Sequence, residues 1–388
     1  MSLSQLLTEI RQTVGAKNDV LDDFHVEGLK LRFQTQQQTI CDFVKQTLAP
    51  VDLDDGSQSA VTWQLSVRCD PVLLSSVLTE IDRQNLEWTS VPIRRMSIRR
   101  YAITADQDIC VRKSRGVLWL IDRSQKTIHM ITSGQTQYPL LTARNLARDL
   151  IVSYLHDNGW TTLHAGAVRL GEKNYLVVGD GGQGKTSLIL ALMATGAKFI
   201  ANERTLLKKD GAKVRAISFP MSVAVGLGSA LNFHSLANLC SKPEQLLLPQ
   251  TRLQVNKLQQ VPISEWKNLK DKILMLPGEL CRALNTQPHI GESTIDGILV
   301  PKLDEAHQFR AQSLSKNDLS GLLQRNVITR KKETLYPDWM PLGYSHDSAQ
   351  SDQICSALEK LPASRIQFYK IGKSTLPRQI ATLRGELN

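Results

Sequence analysis

Apolar positions along the chain fall into two rhythms. Near the N-terminus Leu6, Leu7, Ile10 and Val14 recur at helical spacing behind Ser2 and Gln5, a pair that fits a capping box. Asp70-Pro71, an N-cap followed by proline at the first helical position, opens a second helix carrying Leu73, Leu74, Val77 and Ile81. Around these packing helices the period drops to two: Val61, Trp63, Leu65 and Val67, then Ile98 and Ile103 around Tyr101, then the continuous runs Val117–Ile121 and Thr127–Ile131. This alternation predicts an antiparallel sheet. A helix over 142–158, with Leu146, Leu150 and Tyr154 on one face and Gly159 as its stop, reads as the hinge into a second domain.

Beyond the hinge the runs shorten. Thr161–Leu170 and Asn174–Val178 read as two strands joined by a tight turn at Gly171-Glu-Lys, a hairpin. A helix-forming run over Ser187–Thr195 ends at Gly196, and Lys198–Ala201 is the next strand, finishing in Asn202-Glu-Arg204. Val214–Ser218, Ser222–Val225 and Gly297–Val300 are further strand candidates, and Gly226-Leu-Gly228 is a turn able to approach a ligand closely. Residues 232–285, rich in Lys and Gln and broken by Pro243, Pro249, Pro262 and Pro277, read as an elaboration with no derivable path. Asp318–Thr329 is a helix with Leu319, Leu322, Leu323 and Val327 inward, and the tail reads as a strand over Ile366–Ile371 and a helix over Thr375–Leu387.

Between the second hairpin strand and the helix lies Gly179-Asp180-Gly181-Gly182-Gln183-Gly184-Lys185-Thr186, followed by Ser187, which fits G-x-x-x-x-G-K-[ST] in the strand-to-helix context that motif requires. Its glycines let main-chain N–H groups turn towards a phosphate, and the helix behind them aims the positive end of its dipole at the same anion. Lys185 is then expected on the β- and γ-phosphates and the Thr186 hydroxyl on Mg²⁺. The chain is expected to bind ATP with Mg²⁺ through residues 179–187, although the sequence does not distinguish ATP from GTP.

Composition narrows the partners. Of 388 residues, 41% are hydrophobic and 22% charged, which is ordinary globular material with length for two domains. An excess of 47 Lys+Arg over 37 Asp+Glu suits a polyphosphate, but it is spread too evenly to argue for nucleic acid. The six cysteines have neither zinc nor disulfide spacing, and read as reduced thiols. No run approaches the ~20 apolar residues that span a bilayer, and no secretory leader pattern opens the chain. A cytoplasmic protein without membrane or nucleic-acid partners is expected, with the subunit count left open, homo-oligomer included.

A phosphate loop alone does not fix the chemistry; a second carboxylate and a base do. Val117–Asp122 and Ile298–Asp304 are apolar runs ending in an acid, but the first lies upstream of the loop and the second is broken by Pro301, so both are expected to be plain buried strands. Glu203 stands at the carboxyl end of the strand after the loop helix, where ligands gather in open α/β sheets, and it is the expected metal acid or proton acceptor. The bland alternative is a solvated acid paired with Arg204. His164, fifteen residues before Gly179, is the second candidate base, since a hairpin brings it back beside the loop; a lone histidine on a strand is otherwise a packing residue. Arg204, Arg330, Lys331 and Lys332 are cationic candidates for acceptor docking or for plain solvation.

Leu-His164-Ala-Gly-Ala-Val, the loop Gly179–Thr186 and the run ending Phe-Ile-Ala-Asn202-Glu203 together resemble the core of bacterial HPr kinase/phosphorylase, whose loop and fold are shared with phosphoenolpyruvate carboxykinase. The resemblance covers about residues 160–205. With the alternating runs giving a strand-rich N-terminal domain over 1–140, it implies a mixed-sheet P-loop kinase domain over 141–388, for an α/β (α+β) architecture overall. It also implies a histidine ahead of the loop and acids after the loop helix that handle the acceptor proton, with metal bound nearby. Here Asn202-Glu203 stands where that family has two aspartates, which removes one carboxylate and leaves Glu203 as the acid. The long N-terminal domain and the 232–285 segment are more similar to HPr-kinase-related proteins of bacterial biosynthetic clusters. The expected activity is an Mg-ATP-dependent kinase, with Glu203, His164 and Lys185 catalytic, Thr186 and Glu203 on the metal, and a hydroxyl of a small molecule or peptide as acceptor. The alternatives are a nucleotide-binding regulator without phosphotransfer and a protein or peptide serine kinase of HPr kinase type.

Overall fold

Helix ends follow the capping chemistry written in the sequence. Ser2 and Gln5 exchange hydrogen bonds, Ser2 N to Gln5 Oε1 at 2.8 Å and Gln5 N to Ser2 Oγ at 3.3 Å, and start helix α1 (Leu3–Gln12). Asp70 Oδ1 accepts from Leu73 N at 2.8 Å, Pro71 takes the first helical position, and left-handed Asn85 closes α3 (Pro71–Gln84). The computed structural model describes residues 2–12, 19–49, 61–93, 96–134, 138–219, 221–248, 250, 255–256, 258, 260–304, 310–328 and 348–369. Val14, Arg330, Lys331, Lys332 and the expected tail helix lie outside the described residues. The chain divides into two compact units, the first running through Asn158 and the second starting at Gly159.

In the first unit, strands β1 (Val20–Val26), β2 (Leu29–Thr35), β3 (Val61–Cys69), β4 (Thr89–Ile93), β5 (Met96–Ala102), β6 (Gln107–Arg112), β7 (Val117–Asp122) and β8 (Thr127–Thr132) form one eight-stranded sheet in the order β1-β2-β3-β8-β7-β6-β5-β4. The expected antiparallel sheet is corrected here to a mixed one, because β3 runs parallel to both β2 and β8. The physical reason is the helical crossover α2 (Gln38–Leu48), which returns the chain to the same end of the sheet before β3 begins. As expected, Val117–Asp122 is a plain buried strand inside this sheet. Helices α1 and α3 lay Leu6, Ile10, Leu74 and Val77 against Ile109, Leu118 and Ile131 of the sheet. The long helix α4 (Tyr138–Asp157) ends this unit and stops at Gly159, whose φ is +85°.

The second unit is built on a six-stranded sheet in the order β12-β10-β11-β18-β21-β19, whose members are β10 (Ala165–Leu170), β11 (Lys173–Val178), β12 (Lys198–Ala201), β18 (Gly297–Asp304), β19 (Arg310–Ser313) and β21 (Ala363–Tyr369). A second sheet, β17-β14-β13-β9-β20, contains β9 (Thr161–Leu163), β13 (Thr205–Asp210), β14 (Lys213–Ser218), β17 (Ser293–Thr294) and β20 (Val327–Ile328), and a two-stranded ribbon pairs β15 (Val223–Gly226) with β16 (Lys272–Met275). Strand β11 shows why its sequence is continuously apolar: Tyr175 and Val177 face one core with Leu188–Met193, while Leu176 and Val178 face another with Leu319, Leu322 and Ile354. Both faces of the sheet are covered. The helix α5 (Lys185–Ala194) is correspondingly apolar all round, with every residue from Leu188 to Met193 buried.

Strand β18 corrects one expectation. Pro301 does not break it; the strand continues to Asp304 in register with β21, while its ladder with β11 extends only to Leu299. The missing proline N–H therefore falls beyond the end of the β11 ladder, where no bond is forfeited. No helix among the described residues is long and apolar enough to cross a membrane.

Candidate active site

The glycine-rich segment joins β11 to α5 as a compact loop. Gln183 Oε1 accepts from Asp180 N at 3.0 Å, which ties the loop across itself. Gly182 and Gly184 have φ of +81° and +96°, conformations that favour glycine. At Gly184 a side chain is excluded twice over, since a Cβ there would lie 2.9 Å from Leu303 Cγ and 3.1 Å from Phe368 Cζ. Over Gly181 and Gly182 there is open space. Leu188 N is bonded to Gly184 O at 2.9 Å, so the N–H groups of residues 185–187 precede the first intrahelical bond and face the helix N-terminus, an anion-binding geometry. Lys185 is nearly buried, and its Nζ donates to Gly179 O at 2.6 Å and to Asp180 O at 3.3 Å. Burial pushes its pKa down, and Glu203 and Asp180 pull it back up.

Thr161–Leu170, expected as one strand, is two. It changes sheets at His164: β9 pairs with β13 on one side of the break, and β10 pairs with β12 on the other. The partner chain breaks at the same level, between Ala201 and Thr205. Leu163 pairs with Thr205 and Ala167 with Ala201, so residues 164–166 and 202–204 face each other across an interrupted ladder; just beyond it, between Ala167 and Val168, the β10–β12 register slips by one residue at a bulge. Gly166 permits this approach, because a Cβ there would meet Ile189 Cδ1 and lie 2.6 Å from Asn202 O. Thr205 Oγ1 donates to Ala165 O at 3.0 Å and pins the lower edge of the gap.

His164 and Glu203 both occupy this gap, and the His164 ring is hydrogen-bonded to the Glu203 main chain. Desolvation above all, then the charges of Lys185 and Arg204, lowers the His164 pKa to about 4, against the pull of that hydrogen bond. The ring is neutral at physiological pH. Glu203 is half-buried and makes no ion pair with a described residue. Arg204 is buried, with its guanidinium 5.5 Å from the Phe219 ring. Asn202, the neutral neighbour, is 5% exposed, and neither its Oδ1 nor its Nδ2 has a hydrogen-bond partner among the described residues.

One cleft of about 1140 Å³ is lined by His164, Lys185, Thr186, Ser187 and Glu203 together with Gly181, Gly182 and Gly184. Asp180 and Gln183 line a neighbouring cavity on the other side of the loop, shared at Gly181 and Gly182. Gly179 is packed beneath, near Pro301. The far wall of the main cleft, residues 224–233 and 267–272, comes from the turn after β15 and from the elaboration before β16; sequence reasoning flagged the turn but not the second stretch. Ser187 Oγ and Ser229 Oγ, 3.0 Å apart, join the loop helix to that wall.

Among the described residues no group of three or more His, Cys, Asp or Glu side chains converges as a metal cage. A magnesium ion carried in on a polyphosphate needs no cage: one hydroxyl and one carboxylate, with phosphate oxygens and water, make a suitable donor set, and Thr186 and Glu203 supply the pair. Neither a scan against protein-family models nor a search of curated proteins returns a match for this chain.

Proposed function

We propose that the chain is an Mg-ATP-dependent phosphotransferase acting on a hydroxyl acceptor. One observation carries the reading: a glycine-rich loop at a helix N-terminus, the lysine and hydroxyl behind it, and a histidine with a carboxylate from a strand break all line one cleft. These five elements are contributed from three separate places in the chain.

In this reading the amides of 181–186 and the Lys185 ammonium bind the β- and γ-phosphates, and Thr186 with Glu203 holds the ion. Bound there, Mg²⁺ neutralises charge on the phosphate tail. Glu203 orients the acceptor hydroxyl and takes its proton, as a new bond forms from that oxygen to the γ-phosphorus and the bridging bond to the β-phosphate breaks, leaving ADP. His164, neutral and bonded to the Glu203 main chain, positions that segment and offers an acceptor nitrogen to the same hydroxyl.

The test is incubation with Mg-ATP and a panel of hydroxyl amino acids, peptides and small-metabolite fractions, with mass spectrometry for an added phosphoryl group. Lys185→Ala should lower turnover by about 10³-fold. Glu203→Gln should lower kcat by roughly 10²- to 10⁴-fold while nucleotide still binds. Nucleotide binding without a phosphorylated product in any fraction favours the regulatory alternative. Turnover of Glu203→Gln at the parent rate removes Glu203 from the chemistry.

A further inference from the structure

The wall opposite the loop is cationic. Lys267, Lys270 and Lys272 line the cleft within six residues, with Asp271 as the single acid among them. Lys272 lies close enough to lower the pKa of both His164 and Lys185. This is no loose surface tail. Trp266, 1% exposed, anchors the stretch in the core shared with α5, and Leu269 N is bonded to Trp266 O at 3.0 Å. At the other end Lys272 is paired with Gly226 in the β15–β16 ribbon, and Leu227 N donates to Asp271 O at 3.2 Å. The lysines are thus presented by main chain fixed at both ends.

A triphosphate tail in the loop is already met by main-chain amides, a helix N-terminus, Lys185 and a divalent ion. Three further ammonium groups on the facing wall exceed what that tail needs, and they stand where an acceptor must enter to reach Glu203. A cleft wall lined by cationic side chains draws anions to its mouth. From this we infer that the acceptor carries its own oxyanion, a carboxylate or a phosphate, which the 267–272 wall binds while the hydroxyl is presented to the loop. The inference rests on the kinase reading and narrows it to anionic hydroxyl compounds.

The experiment fills the loop first. Protein saturated with Mg²⁺ and the non-hydrolysable β,γ-imido analogue of ATP is titrated calorimetrically, at constant ionic strength, with malonate in one arm and inorganic phosphate in the other. The expected result is binding of at least one probe to the nucleotide-loaded protein, weakened about tenfold or more by Lys270→Ala with Lys272→Ala, with nucleotide affinity changed by less than about threefold. Preference for phosphate marks a phosphorylated acceptor, and preference for malonate a carboxylate one. Loaded protein that binds neither anion, or lysine variants that weaken nucleotide as much as the probe, overturns the inference and leaves the kinase reading standing. Parent protein that fails to bind the nucleotide at all overturns the kinase reading, and the inference with it. A far-UV melt of the double variant checks folding, and substitution of exposed lysines is expected to leave the transition in place.

Discussion

Two buried polar clusters, one in each unit, are completed in different ways. In the first, charge is matched inside the protein. Asp108, 1% exposed, is paired with Arg123, and Arg100 Nε lies 3.0 Å from its other oxygen, an ion pair by distance though not by hydrogen-bond angle. Arg148 Nε donates to Asp149 Oδ1 at 2.7 Å, and Asp122 accepts from Gln107 and Ser124. His129, buried and neutral with its pKa lowered to about 4 by desolvation, sits 2.8 Å from Ser66 Oγ on the neighbouring strand. In the second unit the strand gap holds Glu203 without an ion pair among the described residues and Asn202 without a hydrogen bond. Polar groups that already have protein partners maintain a sheet; those left short of partners beside a cleft are set aside for something that enters it.

That contrast can be broken by substitution. Asp108→Ala strands two arginines at a buried position, and equilibrium urea unfolding should show a loss of roughly 3 kcal/mol. The corresponding Glu203→Ala change should cost less than about 1 kcal/mol. Equal losses at the two positions would mean that Glu203 is as structural as Asp108. His164 sharpens the comparison through pH. Its pKa is about 4 in the folded chain against an ordinary 6.5, so between those values the unfolded chain binds a proton that the folded chain refuses, and stability falls as pH drops through the window. His164→Asn removes that share of the slope. Relative to parent, the variant should gain about 2 kcal/mol in unfolding free energy between pH 7 and pH 4, a figure discounted for the ring's partial exposure. The smallest effect belongs to Asn202. Replacing its unbonded amide by an apolar side chain of similar volume, Asn202→Leu, should raise stability by about 1 kcal/mol in thermal unfolding, and a fall instead would show that the amide has a partner in solution.

Much of this arrangement could be read from the chain. The caps of α1 and α3, the hairpin of β10 and β11, and the loop between β11 and α5 rest on local chemistry, and local chemistry survives folding. The break at His164 did not announce itself because Thr161–Leu170 has strand propensity throughout; Gly166, a glycine inside a strand, was the single local sign of a close backbone approach. Pro301 misled for a related reason: whether a proline interrupts a strand depends on where the neighbouring ladder ends, which is a tertiary fact. The lysine wall was hidden most deeply. Lys267, Lys270 and Lys272 are ordinary surface residues in sequence, and only the burial of Trp266 and the pairing of Lys272 with Gly226 turn them towards the cleft.

The interrupted ladder has a consequence for how this chain can change. Leu163 pairs with Thr205 at one end of the gap and Ala167 with Ala201 at the other, so the segments holding His164 and Glu203 are of equal length and fixed at both ends. Adding or deleting one residue between Ala201 and Thr205 would move Glu203 out of step with His164, whereas beyond Ala167 the β10–β12 ladder already absorbs a one-residue slip at its bulge. The spacing between the histidine and the acid is thus held by the short segment between two fixed pairs, while slack in the sheet lies outside it.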